Sequence, residues 1–451
     1  MGSVQKSTIF VAIITSFITT FMGSALNLSV PVMSEEFDVS AGAIGWVVTI
    51  YMLISSAFSV PFGRIADITA RKRILVTGIA IFSASALFAA FSQNLPMVLI
   101  GRGAQGFGAS MIFATNQAIL VAEFDAKDRG RVLGYATAST YLGLALGPVL
   151  GGVLNHYLGW RSIFAITFVI SLIVFIEALR KVPLREHEGE KTKMDVSGAG
   201  LYVAMIVTCV YGLTSLAEGW IPVACLAAGL IIGFLFVKKE LRTPAPVIDL
   251  KLFSGNLGYS FSNLAAFLNY GATYAISYLL SIYYQAVKGF DSQFAGILLI
   301  ASPVIMTLLS PYAGKLSDRI SPAKIATVGM AITVAALVAF SFVTVSQPVW
   351  MLFAINAVSG FGFALFSSPN TNAIMSYVDK KDFAVAASIL ATMRSLGQTF
   401  NMAVVTIVVT LMLGNVTLMQ AEPEALVHVM RILFRIGAGF SVAGIFFSLK
   451  R

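Results

Sequence analysis

Long apolar runs separated by short polar segments dominate the chain. Each run could supply the roughly 20 apolar residues that a membrane-crossing helix needs. The runs lie at 8–30, 43–62, 74–91, 96–121, 132–154, 163–179, 197–216, 221–237, 257–284, 294–313, 325–345, 349–374, 383–413 and 427–449. Apolar residues are continuous in them rather than alternating with polar ones, which favours helices over barrel strands. The pattern predicts an all-α membrane protein with 14 transmembrane helices.

Charge divides these helices into groups of six, two and six. The longest charged segment, 180–195, follows the sixth run. We therefore predict an N-terminal six-helix bundle at 1–182, a charged linker with two inserted helices at 183–256, and a C-terminal six-helix bundle at 257–451. Composition agrees, since only 11% of residues are charged against about 25% in a typical soluble domain.

Lysine and arginine indicate the orientation. With the N-terminus inside, the loops on the outer side hold only Arg161 and Lys288, and the inner segments hold most of the other basic residues. Basic residues concentrate on the cytoplasmic side of membrane proteins, so both termini are predicted to be cytoplasmic. This bias also accounts for the net charge of +9 without a nucleic-acid partner. All four tryptophans fall at predicted outer ends, where interfacial anchoring is expected: Trp46, Trp160, Trp220 and Trp350.

A motif occurs twice, each time after the second helix of a six-helix group. In both copies a glycine stands four residues before an aspartate, and basic residues follow. The repetition predicts an internal duplication of the kind found in transporters. Glycine would permit a tight turn, and the acid could accept from helix N-termini or arginine. Both a structural anchor and a conformational latch fit this pattern. The residues are Gly63, Arg64, Asp67, Arg71, Lys72 and Arg73, and then Gly314, Asp318 and Arg319.

The fifth run carries regularly spaced glycines and a proline. Small residues let a neighbouring helix approach closely, and proline removes a helical hydrogen bond. Such a helix could seal one side of a cavity. The residues are Gly134, Gly143, Gly147, Pro148, Gly151 and Gly152.

These two motifs resemble the signature loop of the major facilitator superfamily and the antiporter motif of its drug exporters. Arg102, Gln105 and Gly106 resemble a further motif with a buried arginine. The resemblance implies the fourteen-helix drug:proton antiporter family, with proton-driven export of hydrophobic, often cationic compounds. We expect a monomer in the cytoplasmic membrane of a prokaryote, with a small-molecule substrate, and neither an enzyme nor a binder of cofactors or metals.

One position departs from that family. Its first helix typically carries an aspartate where this chain, aligned on Asn27 and Pro31, has Met22. No acid lies deep in the predicted membrane, although buried carboxylates usually mark proton relays. The candidates left for proton coupling lie at the cytoplasmic side: Asp67, Glu123 and Asp125.

Buried positive charge and uncharged polar groups occur instead. A charge within the bilayer is unfavourable unless it meets a partner or a wet cavity, so Arg102 and Arg394 could be structural or could bind a ligand. Tyr270, Tyr274 and Tyr278 share one helix face and could pack in the core or line a cavity. The cavity candidates are Asn27, Arg102, Gln105, Asn116, Asn269, Tyr270, Tyr274, Tyr278, Arg394, Gln398 and Asn401.

Three functions fit the sequence. The first is a secondary-active exporter of hydrophobic or amphiphilic compounds, coupled to protons by alternating access. The second keeps this fold but exports an anionic or zwitterionic amphiphile, such as a lipid or organic acid, without a buried carboxylate for coupling. The third is a membrane scaffold or sensor that transports nothing.

Overall fold

The computed structural model describes residues 2–124, 126–183, 194–215, 219–244, 246–248, 250, 253, 255–317, 319–378, 383–414 and 416–451. We number its helices by the predicted runs that they occupy. They are α1 (Ser3–Ser24), α2 (Ala41–Ile68), α3 (Arg71–Ala90), α4 (Leu95–Glu123), α5 (Ala126–Leu158), α6 (Arg161–Lys181), α7 (Val196–Thr214), α8 (Trp220–Glu240), α9 (Leu257–Thr273, then Ile276–Ile282), α10 (Ser292–Leu299, then Ala301–Ser317), α11 (Pro322–Phe340), α12 (Val349–Ser376), α13 (Phe383–Leu413) and α14 (Pro423–Leu449).

The all-α prediction is confirmed, since the described residues contain no strand. Eleven of their helices are long and apolar enough to cross a membrane. A short 3₁₀ segment, Ala25–Leu28, and a short helix, Val30–Glu36, follow α1. The number of 14 crossings and the side of the termini remain predictions.

Helix packing separates two bundles. Within the first six helices, α4 packs against α3 and α2, and α5 against α1; within the last six, α12 packs against α11 and α10, and α13 against α9. Two seams join the bundles, one between α5 and α10 and one between α2 and α13. Of the inserted pair, α7 packs on α2 and α13, where Tyr202 shares an apolar cluster with Leu53 and Ala403. The insertion therefore covers the α2–α13 seam.

The repeated motif is helical where the sequence predicted a loop. α2 continues to Ile68, so Gly63 and Arg64 lie in its last turns and only two residues separate it from α3. The turn expected at Gly63 was wrong, because Gly63 is helical. No close contact requires a glycine there either, since a Cβ would meet nothing within 4 Å. Gly314 is likewise helical, near the end of α10.

The basic residues of the motif follow at the start of α3. Lys72 donates to the carbonyl of Leu179 at 3.0 Å, which satisfies a group at the end of α6. Arg71 begins α3, Arg73 is exposed, and Arg319 is exposed after α10. The side chain of Asp67 and the whole of Asp318 lie outside the described part of the chain.

Tryptophan follows the interfacial expectation in part. Trp220 and Trp350 are 77% and 72% exposed. Trp160 is only 2% exposed, because it packs in an apolar cluster with Ile163 and Phe164, and its indole N–H donates to Glu36 Oε2 at 2.7 Å. Anchoring was therefore the wrong role for Trp160, which is a core residue.

Candidate functional site

The two bundles meet from mid-height to the predicted outer end. In the α2–α13 seam, Ser56 and Thr399 hydroxyls lie 2.9 Å apart. Nearer the outer end the backbone N–H of Ala41 donates to the carbonyl of Val416 at 3.0 Å. Between α9 and the 3₁₀ segment that follows α1, Ser281 Oγ donates to the Asn27 carbonyl at 2.7 Å. These hydrogen bonds join the bundles from mid-height upward, so the cleft between them is closed at its predicted outer end.

The motif glycines of α5 fall on two faces. Gly143, Gly147 and Gly151 face α1 and the 3₁₀ segment that follows it, as the predicted close approach requires. A Cβ at Gly143 would lie 2.6 Å from the Phe17 carbonyl oxygen, and one at Gly151 would lie 2.5 Å from that of Ala25. These three glycines hold the first bundle together.

The second face of α5 meets the other bundle. A Cβ at Gly152 would overlap the carbonyl oxygen of Ser292 in α10. Ser292 Oγ donates to the Gly152 carbonyl at 3.1 Å, and a Cβ at Gly296 would lie 2.5 Å from the Pro148 carbonyl oxygen. Gly152 and Pro148 therefore belong to the α5–α10 seam itself. Gly134 lies in the first turns of α5, where its surroundings are outside the described residues.

Arg102 is enclosed within the first bundle. It is 0% exposed; Nε donates to the Val47 carbonyl at 3.0 Å and one terminal nitrogen to Gln105 Oε1 at 2.7 Å. Its guanidinium lies 4.2 Å from the Tyr51 ring centroid, a favourable cation–π geometry. Arg102 and Gln105 therefore tie α4 to α2.

Two of the candidate asparagines, Asn116 and Asn401, also have local partners. Asn116 donates to the Ala12 carbonyl at 2.9 Å and to Ser16 Oγ at 2.8 Å, within the first bundle. Asn401 accepts from the Ala275 N–H at 2.7 Å and donates to the Gly271 carbonyl at 2.6 Å. These are backbone groups that the break in α9 leaves without helical partners, so Asn401 supports the break.

Arg394 lies in a cluster formed by both bundles. Its guanidinium is 4.9 Å from the ring centroid of Tyr270 in α9 and within hydrogen-bonding reach of the Tyr141 hydroxyl in α5. Tyr141 and Tyr270 both hydrogen-bond Ser367 in α12, at 2.9 and 3.2 Å. The Phe363 ring packs edge-on against Tyr270 at 5.1 Å. This central cluster, Tyr141, Tyr270, Phe363, Ser367 and Arg394, is our candidate substrate site.

The predicted tyrosine stripe points across the cleft. The break in α9 separates Tyr270 from Tyr278, and Tyr274 at the break donates to the Gly23 carbonyl in α1 at 3.2 Å. Tyr278 is 1% exposed and its hydroxyl faces Gly45 in α2. The stripe thus belongs to the interface between the bundles.

The remaining candidates take no part in the central cluster as described. Asn269 is fully buried within the last bundle, and neither amide atom has a hydrogen-bond partner among the described residues. Gln398 is half-buried on α13, and Glu123 ends α4. Met22 is fully buried and accepts from Thr167 Oγ1 at 3.0 Å, inside the first bundle. Asp125 lies outside the described residues.

Comparison with known proteins decides the family. The model of the Major Facilitator Superfamily matches residues 12–400 and again 262–451. The chain belongs to this superfamily. The riboflavin transporter RibZ of Clostridioides difficile is 29% identical over 84% of this chain and 83% of its own length. The multidrug resistance protein Stp of Mycobacterium tuberculosis is 27% identical over 84% and 71%, and the methyl viologen resistance protein SmvA of Salmonella typhimurium is 27% identical over 84% and 78%.

A solved structure has the same fold. The inward-facing, unoccupied crystal structure of a bacterial homologue of the human lysosomal transporter Spinster superposes with a TM-score of 0.72. The alignment covers 99% of this chain and 97% of that one at 14% identity, so it supports the fold alone. The family match and the helices of membrane length together make this chain an integral membrane transporter of the superfamily.

A cavity of about 410 Å³ lies at the predicted outer end of this transporter. Glu36 lines it and pairs with Arg161 at 2.7 Å. Burial raises the pKa of Glu36, but the hydrogen bonds from Arg161 and Trp160 and the Arg161 charge outweigh that effect and hold its pKa below the usual value. The ionised carboxylate is thus favoured by the fold.

We expect Glu36→Gln to destabilise this superfamily member at neutral pH only. A depressed folded-state pKa contributes stability above the unfolded value, about 4.3, and the contribution disappears as pH falls through the folded value. Since Glu36 and Arg161 are each 38% exposed, the effect should stay below about 1 kcal/mol. Thermal unfolding at pH 7 and pH 3 measures it. The exposed neighbour gives the control, Glu35→Gln; a difference that persists at pH 3 would contradict the assignment.

The sequence missed three members of the central cluster. Tyr141 lies two residues before Gly143 in the glycine motif, so its position on α5 could be predicted from the sequence. Its partners could not be predicted, because Ser367 is 226 positions away and Phe363 is one of 34 phenylalanines.

Proposed function

We propose that this transporter is a secondary-active exporter of small hydrophobic and amphiphilic compounds, working by alternating access with proton antiport. The observation that carries the proposal is the central cluster, where α5 of one bundle meets α9, α12 and α13 of the other. A substrate bound there would contact both bundles and could be exposed to either side by their rocking. RibZ is named for riboflavin transport, Stp for multidrug resistance and SmvA for methyl viologen resistance, which supports small organic substrates here.

The seams suggest how the outer end would open. The α5–α10 seam depends on glycine contacts and one hydroxyl bond, and the α2–α13 seam on threonine and serine hydroxyls. Such contacts are individually weak, which suits surfaces that must separate in each cycle. In this proposal the two bundles, 1–182 and 257–451, rock against each other along these seams.

Proton coupling remains a prediction with named candidates. Met22 occupies the usual acidic position but is sealed inside the first bundle, so a carboxylate elsewhere would carry the proton. Asp67, Glu123 and Asp125 are those candidates. We expect Asp67→Asn, Glu123→Gln or Asp125→Asn to abolish pH-driven transport in one case and preserve it in the others. Proton antiport by this route fails if an imposed pH gradient still drives transport in all three.

The export itself is tested with purified protein in sealed vesicles. We expect accumulation of a hydrophobic fluorescent compound that responds to an imposed pH gradient and ceases when the gradient is collapsed. Empty vesicles correct for passive entry. Protein-containing vesicles that exchange none of a panel of cationic, neutral and anionic compounds would overturn transport and favour the scaffold or sensor hypothesis.

A further inference from the structure

Arg394 brings an uncompensated positive charge to the central cluster. Among the described residues, the groups that interact with it are Tyr270 and Tyr141, and neither is an acid. The sequence places no aspartate or glutamate between Phe383 and Leu413. A cationic substrate would therefore meet repulsion here, whereas an anionic group would find a partner.

The contrast with Arg102 separates a ligand role from a structural one. Arg102 is fully buried and bonded to a backbone carbonyl and an amide of its own bundle. Arg394 differs in its contacts, which are an aromatic face from one bundle and a hydroxyl from the other. Its guanidinium thus lies where the two bundles meet, and its several planar N–H donors suit a carboxylate or similar anion.

Depth places this charge where a transported substrate would rest. Arg394 lies about 16 Å along α13 from Phe383, given a rise of 1.5 Å per residue, in a helix of 31 residues. Around it, Tyr141, Tyr270 and Phe363 provide aromatic surface. An anionic head and a planar ring system would therefore be recognised by adjacent groups.

We propose that the central cluster selects aromatic anions, with Arg394 binding the anionic group and Tyr141, Tyr270 and Phe363 packing against the ring. This inference rests on the proposed export function and names its substrate class. It differs from the cationic compounds that the sequence resemblance implies.

Three ring-matched probes test the proposal: 2-naphthoate, 2-naphthylmethanol and 2-naphthylmethylammonium. Binding is measured on the full chain in lipid nanodiscs, and transport in sealed vesicles. We expect the naphthoate to bind roughly tenfold or more tightly than the ammonium compound, in line with a charge-assisted hydrogen bond. Arg394→Gln should remove that preference and leave binding of the neutral alcohol within about twofold.

Two further variants keep the test decisive. Arg435→Gln removes an exposed arginine of α14 and should leave the preference unchanged. Arg394→Lys retains the charge without the planar donors, so it should keep the order of the probes but weaken naphthoate binding. Tighter binding of the ammonium compound by the unaltered protein, or an anion preference that survives Arg394→Gln, overturns the proposal.

The two proposals fail in different ways. Vesicles that transport the ammonium compound but not the naphthoate refute the anion site and leave the export function standing. Vesicles that transport no compound refute the export function itself.

Discussion

Replacing Gly152 with alanine is expected to open the outer end of the transporter. The new Cβ would overlap the carbonyl oxygen of Ser292. Because this oxygen belongs to the backbone, the overlap cannot be relieved by rotating a side chain. Overpacking of this kind costs about 1–3 kcal/mol. Since the strain exists only while α5 and α10 are in contact, it should shift the equilibrium toward the outward-open state by about 5- to 150-fold.

Thiol labelling measures that shift. Ser281 is 0% exposed and bonded to the Asn27 carbonyl across the interface, so Ser281→Cys places a reporter that reacts only when the outer end is open. The native Cys209 and Cys225 are first replaced by serine. A membrane-impermeant maleimide should then label the Gly152→Ala protein faster than its parent.

A matched glycine provides the control for this result. A Cβ at Gly439 in α14 would meet nothing within 4 Å, so Gly439→Ala should leave the labelling rate unchanged. Gly151→Ala should instead lower thermal stability, because its Cβ would press on Ala25 within the same bundle. Equal labelling of the Gly152→Ala and Gly439→Ala proteins would show that the α5–α10 contact does not control outer opening.

Replacing Arg102 with leucine is expected to cause the largest loss of stability. The change leaves the Gln105 amide oxygen without its partner in a fully buried site and removes the additional hydrogen bond to the Val47 carbonyl. Unsatisfied buried groups destabilise by about 1–3 kcal/mol each, and the Tyr51 ring also loses its cation. We expect a loss of about 2–5 kcal/mol, seen as a lower unfolding temperature of the purified protein.

Two further arginine variants serve as controls for this loss of stability. Arg435→Leu removes an exposed side chain and should change the unfolding temperature little. Arg102→Lys should fall between the two, since it retains the charge but loses the paired planar donors. If Arg102→Leu unfolds at the temperature of the unaltered protein yet loses substrate binding, Arg102 is a ligand-binding residue rather than a structural one.

Much of the fold could be predicted from local sequence patterns. Continuous apolar runs of membrane length predict where helices form, since the bilayer offers no other partner for backbone groups. Every predicted run contains a described helix, and the superfamily implied by the two motifs is confirmed. The glycines of α5 were also readable, because close helix approach needs small residues wherever the neighbour lies.

The sequence alone thus determined the helical runs, the superfamily and the importance of α5. Tertiary structure decided which side chains meet: that Gly151 and Gly152 face different bundles, that Asn401 supports the break in α9, that Trp160 is buried, and that Arg394 joins Tyr141. These contacts link positions more than a hundred residues apart. Helix formation follows from local hydropathy, whereas such pairings depend on how packed helices are rotated and on where they break, which no single segment encodes.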